Sequence, residues 1–157
     1  MFGIKSHERL LRRSISYLTG SDLGGELVDP VARNFVAASV IYFFLGVCLG
    51  MIMVFFGLED HMQLRFAHSH LNLLGWVSMM IYGVGYHILP RFSGNPVAYP
   101  SFMAYHFWLA NVSLLGLVSL WGYSQLLAGI FALMQVLATG LFVVNILASI
   151  RPAPHTD

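Results

Sequence analysis

Charged residues are scarce in this 157-residue sequence: they make up 10% of it, whereas hydrophobic residues make up 57%. An ordinary soluble domain has about 25% charged and roughly 45–50% apolar residues. Four runs lack Asp, Glu, Lys and Arg altogether, and each can cross a hydrocarbon core of roughly 30 Å. These runs are residues 35–57, 66–89, 102–121 and 125–150. The shortage of charge excludes an ordinary soluble domain and indicates an integral membrane protein.

Cysteine is almost absent as well, since Cys48 is the single one and lies within the first apolar run. One cysteine cannot form an intrachain disulfide, and it excludes a metal site built from several thiolates. It also excludes the Cys-x-x-Cys-His motif that attaches haem covalently. Any haem in this chain is therefore expected to be bound non-covalently.

The apolar runs predict an all-α fold, an integral membrane bundle of four transmembrane helices. Backbone groups in lipid must form their hydrogen bonds internally, which favours helices over an open sheet. Glycine and proline punctuate the runs. Gly57 closes the first, Pro90, Gly94 and Pro96 belong to the loop after the second, and Gly122 turns the third into the fourth.

Lysine and arginine in the flanks predict the orientation, because they are enriched in cytoplasmic loops. Seven of the eight fall on one side, and only Arg65 falls on the other. We therefore expect a bacterial-type inner or plasma membrane protein with both termini cytoplasmic. Residues 151–157 form a short tail, and residues 1–34 form a cytoplasmic amphipathic segment. Within it, ERLLRRSISYL at residues 8–18 is typical of a helix lying on an anionic leaflet, with docking to a partner as the alternative.

Two histidines, His68 and His70, occupy the outer end of the second run. Histidine within a bilayer is costly and normally faces a bundle interior, a cavity or a ligand. At about 100° per residue the two side chains point roughly 200° apart, into different interhelical spaces. This spacing disfavours a zinc site and favours two separate pockets, and neutral imidazole is the usual axial ligand of haem iron. A hydrogen bond across a helix interface is the alternative.

Arg65 and Asn72 flank this histidine pair, and Arg65 is placed to meet a haem propionate. His87 and His106 form a second candidate pair near the cytoplasmic face, across one loop. For that pair we expect interfacial packing or hydrogen bonding, with a second cofactor site as the alternative. The lead site is therefore haem ligated by His68 and His70, with Arg65 and Asn72 beside it.

The stretch AHSHLNLLGWVSMMIYGVGYHILPRF, residues 67–92, resembles the tenth span of the catalytic subunit of haem-copper oxidases. It is most similar to that of the C-type oxidases, with nitric oxide reductases as relatives. The shared positions are His68, His70, Gly75-Trp76, Gly83, Tyr86 and Pro90-Arg91. The resemblance implies that His68 would ligate a high-spin haem and His70 a low-spin haem, on opposite sides of one helix.

The family's subunit has twelve spans in three arcs of four, and this chain holds one arc. The resemblance therefore implies a homo-oligomer in which His68 of one copy faces His70 of the next. A trimer is favoured, and a dimer or tetramer would also satisfy the ligands. The chain has no His-His pair and no intramembrane acid or lysine, so copper and proton-pumping oxygen reduction are not expected.

Three hypotheses for the function follow. The first is a homo-oligomeric haem b protein for electron transfer or a related redox reaction. The second is a haem protein that binds or senses oxygen or nitric oxide, and the third is a cofactor-free accessory or assembly protein. Whether the chain is an enzyme stays open. Its expected partners are further copies of itself, the bilayer and an electron donor, with no nucleic acid.

Overall fold

The computed structural model describes residues 29–150, and the part it describes is all-helical. Four helices are long and apolar enough to cross a membrane. They are α1 (Pro30–Phe56), α2 (Met62–Phe92), α3 (Pro100–Leu120) and α4 (Gln125–Ser149). The predicted fold class, an all-α bundle of four transmembrane helices, is confirmed. The predicted amphipathic segment at residues 8–18 and the tail at 151–157 lie outside the described residues.

α1 begins five residues before the expected boundary at residue 35, because a strong N-cap precedes it. The Asp29 carboxylate accepts hydrogen bonds from the backbone N–H groups of Val31 (2.8 Å) and Ala32 (3.3 Å), and Pro30 takes the first helical position. Both features are favoured at helix starts. At the other end Gly57 ends α1 with φ of 62°, a left-handed conformation that glycine adopts without strain.

α2 is not α-helical throughout. Its α-helical parts, Met62–His70 and Met79–Phe92, flank a π-helical segment, Leu71–Ser78. The prediction that Pro90 lies in the following loop is wrong, because α2 continues through Pro90 to Phe92. A proline removes only one backbone hydrogen-bond donor from a helix. The loss is tolerated at Pro90 because the helix ends two residues later, at Phe92.

The helices pack as two antiparallel pairs, α1 with α2 and α3 with α4. Glycines allow the close approaches within each pair. A Cβ atom on Gly83 of α2 would lie 2.8 Å from the carbonyl oxygen of Ala32 on α1, and Gly116 of α3 gives room to the ring of Phe131 on α4. Gly122, with φ of 90°, makes the turn between α3 and α4.

The bundle interior is mainly apolar, with residues such as Phe35, Met79 and Leu114 fully buried, but several polar side chains are buried with them. Buried polar residues link the helices: Ser113 with Gln135, and Tyr82 with Thr139. Large apolar side chains such as Phe44 and Leu126 are exposed. The hydrogen bonds inside the bundle provide partners that lipid could not, although Nε2 of His106 and Nε2 of Gln135 are buried without a partner among the described residues.

Candidate functional site

His70 lines a pocket, and one of its ring nitrogens is held by a backbone carbonyl. Its Nδ1 lies 2.8 Å from the carbonyl oxygen of Phe66, one turn earlier in α2. A carbonyl oxygen can only accept, so Nδ1 carries the proton and Nε2 keeps its lone pair. This is the arrangement of an imidazole that ligates a metal through Nε2 while a backbone carbonyl holds Nδ1.

The pocket that His70 lines has a volume of about 330 Å³ and lies between α2, α3 and α4. Its walls are apolar apart from Gln125, and α4 contributes small residues that leave the space open. Gly122, Gln125 and Gly129 are exposed, so the pocket opens on the surface of the single chain. The full lining is Phe66, His70, Leu117, Trp121, Gly122, Gln125, Ala128, Gly129 and Ala132.

An aromatic stack holds the His70 ring in place. Phe66 lies between two rings: its centroid is 3.8 Å from that of His70 and 4.2 Å from that of Trp121. The Phe66 and Trp121 planes are inclined by only 5°. Because Trp121 follows directly on α3, the stack connects the His70 side of α2 to the α3–α4 turn.

Arg65 lies next to the same stack. It lines a neighbouring pocket of about 390 Å³ whose other walls include Phe66 and Trp121, which also line the His70 pocket. Arg65 is exposed, so its guanidinium is available to an anionic group. The structure thus brings Arg65 and His70 to adjoining pockets, separated by the stack.

His68 lies on the other side of α2, packed against α1. Its Nδ1 is 3.0 Å from the carbonyl oxygen of Gly46, and a Cβ atom on Gly50 would meet its Cε1 at 2.8 Å. The ring therefore occupies the space that Gly50 leaves on α1. The residue is half-buried.

Asn72 belongs with His68 rather than with His70. Its side-chain amide donates to the carbonyl oxygen of His68 (2.8 Å), and a Cβ atom on Gly46 would lie 2.6 Å from its Nδ2. The structure consequently divides the four lead residues into two groups. His70 and Arg65 adjoin the stack of Phe66 and Trp121, and His68 and Asn72 fill the contact between α1 and α2.

The second candidate pair is also separated. His106 is fully buried (0% exposed), and its Nδ1 lies 3.1 Å from the Tyr86 hydroxyl. Phe35 packs against His106, and the centroids of the two rings are 4.8 Å apart. His87 instead lies at the end of α2, where its ring contacts the guanidinium of Arg91.

Sequence reasoning missed the π-helical segment and the whole contribution of α3 and α4 to the His70 pocket. The segment starts at Leu71, directly after His70, and such segments are frequent at functional sites. Nothing in a run of apolar residues distinguishes it from an α-helix. The small residues Ala128, Gly129 and Ala132 were a signal for open space on α4, because they leave one face of that helix without bulk.

Within residues 29–150, no three His, Cys, Asp or Glu side chains are grouped so that they could hold a metal ion. Haem iron requires only one or two axial donors from the protein. A single well-oriented imidazole beside an apolar pocket therefore fits haem.

Fold and site together define a class: an all-helical membrane protein with four spans and a surface-opening histidine pocket near one end of the bundle. Over 98 residues the chain is 29% identical to the cbb3-type cytochrome c oxidase subunit CcoN1 of Stutzerimonas stutzeri. The match covers 59% of this chain and 20% of that protein, so the chain corresponds to about a fifth of its length. No family model and no solved structure matches. The similarity supports a loose relationship to a haem-copper oxidase subunit.

Proposed function

We propose that the protein is a homo-oligomeric haem b protein of the bacterial inner or plasma membrane, acting in electron transfer or a related redox reaction. The observation that carries the proposal is His70, which keeps its Nε2 lone pair beside an apolar pocket while Phe66 holds Nδ1. The similarity to a cytochrome c oxidase subunit supports a redox role. Because only about a fifth of that subunit is matched, the proposal does not extend to oxygen reduction.

In this proposal His70 would ligate the haem iron, and the stack of Phe66 and Trp121 would hold its ring in place. Arg65 would pair with a haem propionate, since its guanidinium is exposed next to the stack. Haem, when bound, supplies one-electron redox chemistry. The chain's own residues orient the imidazole and line the pocket.

The second axial ligand would be His68 of a neighbouring copy. His68 and His70 of one chain face different sides of α2, so they cannot meet at one iron. The His70 pocket opens on the chain's surface and His68 is half-buried rather than enclosed, which suits ligation between copies. Closed cyclic symmetry is usual for homo-oligomers. We favour a trimer, and a dimer or tetramer would satisfy the same ligands.

Binding of oxygen or nitric oxide is the second candidate function, favoured by one observation. No other residue lining the His70 pocket is a histidine, cysteine or methionine. In a single chain, haem on His70 would therefore keep one axial position open to a diatomic gas.

Absorption spectra of the purified full-length protein test the proposal. Bis-histidine haem b should give a six-coordinate spectrum in both redox states that carbon monoxide leaves unchanged, and acidic acetone should extract the haem. A carbon monoxide shift of the reduced spectrum would instead support gas binding. Protein that is colourless after expression with ample haem would contradict both and leave the accessory or assembly role.

A further inference from the structure

A second cavity, at the opposite end of α2 from His70, is lined by arginines of two helices. It has a volume of about 740 Å³. Arg33 comes from the first turn of α1, and Arg91 comes from the last turn of α2. Proline rings and Val97 form apolar walls, and Tyr86 lies deeper in the cavity.

The charges in this cavity leave it cationic. Across residues 29–150, neither Arg33 nor Arg91 forms an ion pair with an acidic side chain, and both are exposed. Asp29 also lines the cavity, but its Oδ1 already accepts hydrogen bonds from Val31 and Ala32 at the start of α1. Among the described residues, two guanidinium groups and one carboxylate therefore line the cavity, which leaves one excess positive charge.

His87 gives Arg91 a defined position. Nη1 of Arg91 donates to the carbonyl oxygen of His87 (2.9 Å) and contacts its ring as well. One nitrogen of the guanidinium is thereby held on α2, and its remaining N–H groups stay free to donate. A guanidinium presents several N–H donors in a planar fork that matches phosphate oxygens.

The location favours a lipid as the source of the phosphate. The cavity lies where α1 begins and α2 ends, which is the level of the headgroups for helices that span the bilayer. Leu89 and Phe92 beside it are exposed and apolar, and Phe92 is 83% exposed. Basic pockets between transmembrane helices are known to bind anionic headgroups.

We infer that this cavity is a binding site for an anionic phosphate group, the headgroup of an acidic phospholipid, held by Arg33 and Arg91. His87 acts as a positioning residue for Arg91. The inference is independent of the proposed haem function, because the cavity lies at the other end of α2 and shares no residue with the His70 pocket.

The test is a titration of delipidated, full-length protein in a nonionic detergent with short-chain phosphatidylglycerol, followed by thermal unfolding and native mass spectrometry. We expect saturable binding by the wild type. Each arginine near a headgroup contributes about 1 kcal/mol, so Arg33→Gln and Arg91→Gln should each weaken binding roughly fivefold, and the double variant about thirtyfold. Glu59→Gln is the control: it removes one exposed charge between α1 and α2, at the other end of the bundle, and should change the affinity less than twofold.

Two further ligands are titrated for comparison. Inorganic phosphate tests whether the bound phosphate group belongs to a lipid, and phosphatidylcholine tests whether the lipid must carry a net negative charge. A much higher affinity of the wild type for phosphatidylglycerol than for either of these ligands would support the headgroup of an acidic lipid. If inorganic phosphate bound as tightly as phosphatidylglycerol, and the double variant lost this binding, the same site would be supported with a soluble ligand. Equal affinity of wild type and double variant for phosphatidylglycerol would overturn the inference. Absence of binding to the wild type, as expected if an acidic side chain of residues 1–28 fills the cavity, would overturn it too.

Discussion

At the scale of single residues, the two histidines of the His-x-His motif have different surroundings although they are two positions apart. His70 lines a pocket, whereas the His68 ring packs against Gly50 of α1. Both use Nδ1 to donate to a backbone carbonyl, at 2.8 Å for His70 and 3.0 Å for His68. Both rings therefore keep Nε2 as the available ligand atom, but in different environments.

His70→Ala and His68→Ala should consequently differ in their spectra. His70→Ala removes the imidazole beside the pocket, so we expect haem content to fall at least tenfold. His68→Ala leaves that imidazole in place, so haem should be retained but become five-coordinate and sensitive to carbon monoxide. Pyridine haemochrome analysis and reduced spectra provide the measurement.

His61→Ala is the control for these variants, because His61 is exposed before α2 and its side chain makes no capping hydrogen bond. It should match the wild type. His87→Ala and His106→Ala should also leave the haem spectrum unchanged, since neither residue lines the His70 pocket. If His87→Ala abolished haem binding while His70→Ala preserved it, the ligand assignment would be wrong.

At the scale of helices, α1 and α2 are held together by contacts that only glycine permits. A Cβ atom on Gly83 would lie 2.8 Å from the carbonyl oxygen of Ala32, and one on Gly75 would lie 2.7 Å from Cβ of Tyr42. The nearest atoms are backbone, or side-chain atoms close to it, so they cannot swing aside. The contact between α1 and α2 therefore depends on the absence of side chains at these positions.

Gly83→Ala should destabilise the bundle by about 1–3 kcal/mol, because overpacking forces the two helices apart. Gly140→Ala on α4 is the matched control, since a Cβ atom there meets nothing within 4 Å. Alanine is the better helix former, so this variant should be neutral or more stable by up to about 1 kcal/mol. Unfolding in detergent with increasing SDS measures both, and equal stability of the two variants would contradict the packing described.

The existence of the four helices could be predicted from the sequence because length and apolarity alone decide which segments cross a bilayer. Their ends could not be predicted as well. The start of α1 depends on the Asp29 cap rather than on hydrophobicity, and α2 tolerates Pro90 near its end. The period of the α-helix correctly predicted that the side chains of His68 and His70 lie on different sides of α2. The stack of Phe66 on Trp121 could not be foreseen, since it depends on how α2 packs against the end of α3.

At the scale of the whole molecule, the proposed function requires one chain to provide half of a bis-histidine site on each of two surfaces. His70 lines a pocket that opens outwards, and His68 is half-buried on the opposite side of α2. A closed ring of copies would pair each His70 with the His68 of its neighbour.

Mixed oligomers test this account most directly. His68→Ala and His70→Ala protomers with different tags are co-expressed, and oligomers carrying both tags are purified. At some interfaces His70 of a His68→Ala protomer then meets His68 of a His70→Ala protomer. The account predicts that these oligomers recover a six-coordinate haem spectrum that neither variant shows alone. A spectrum equal to the average of the two variants, or bis-histidine haem in a verified wild-type monomer, would contradict ligation between copies.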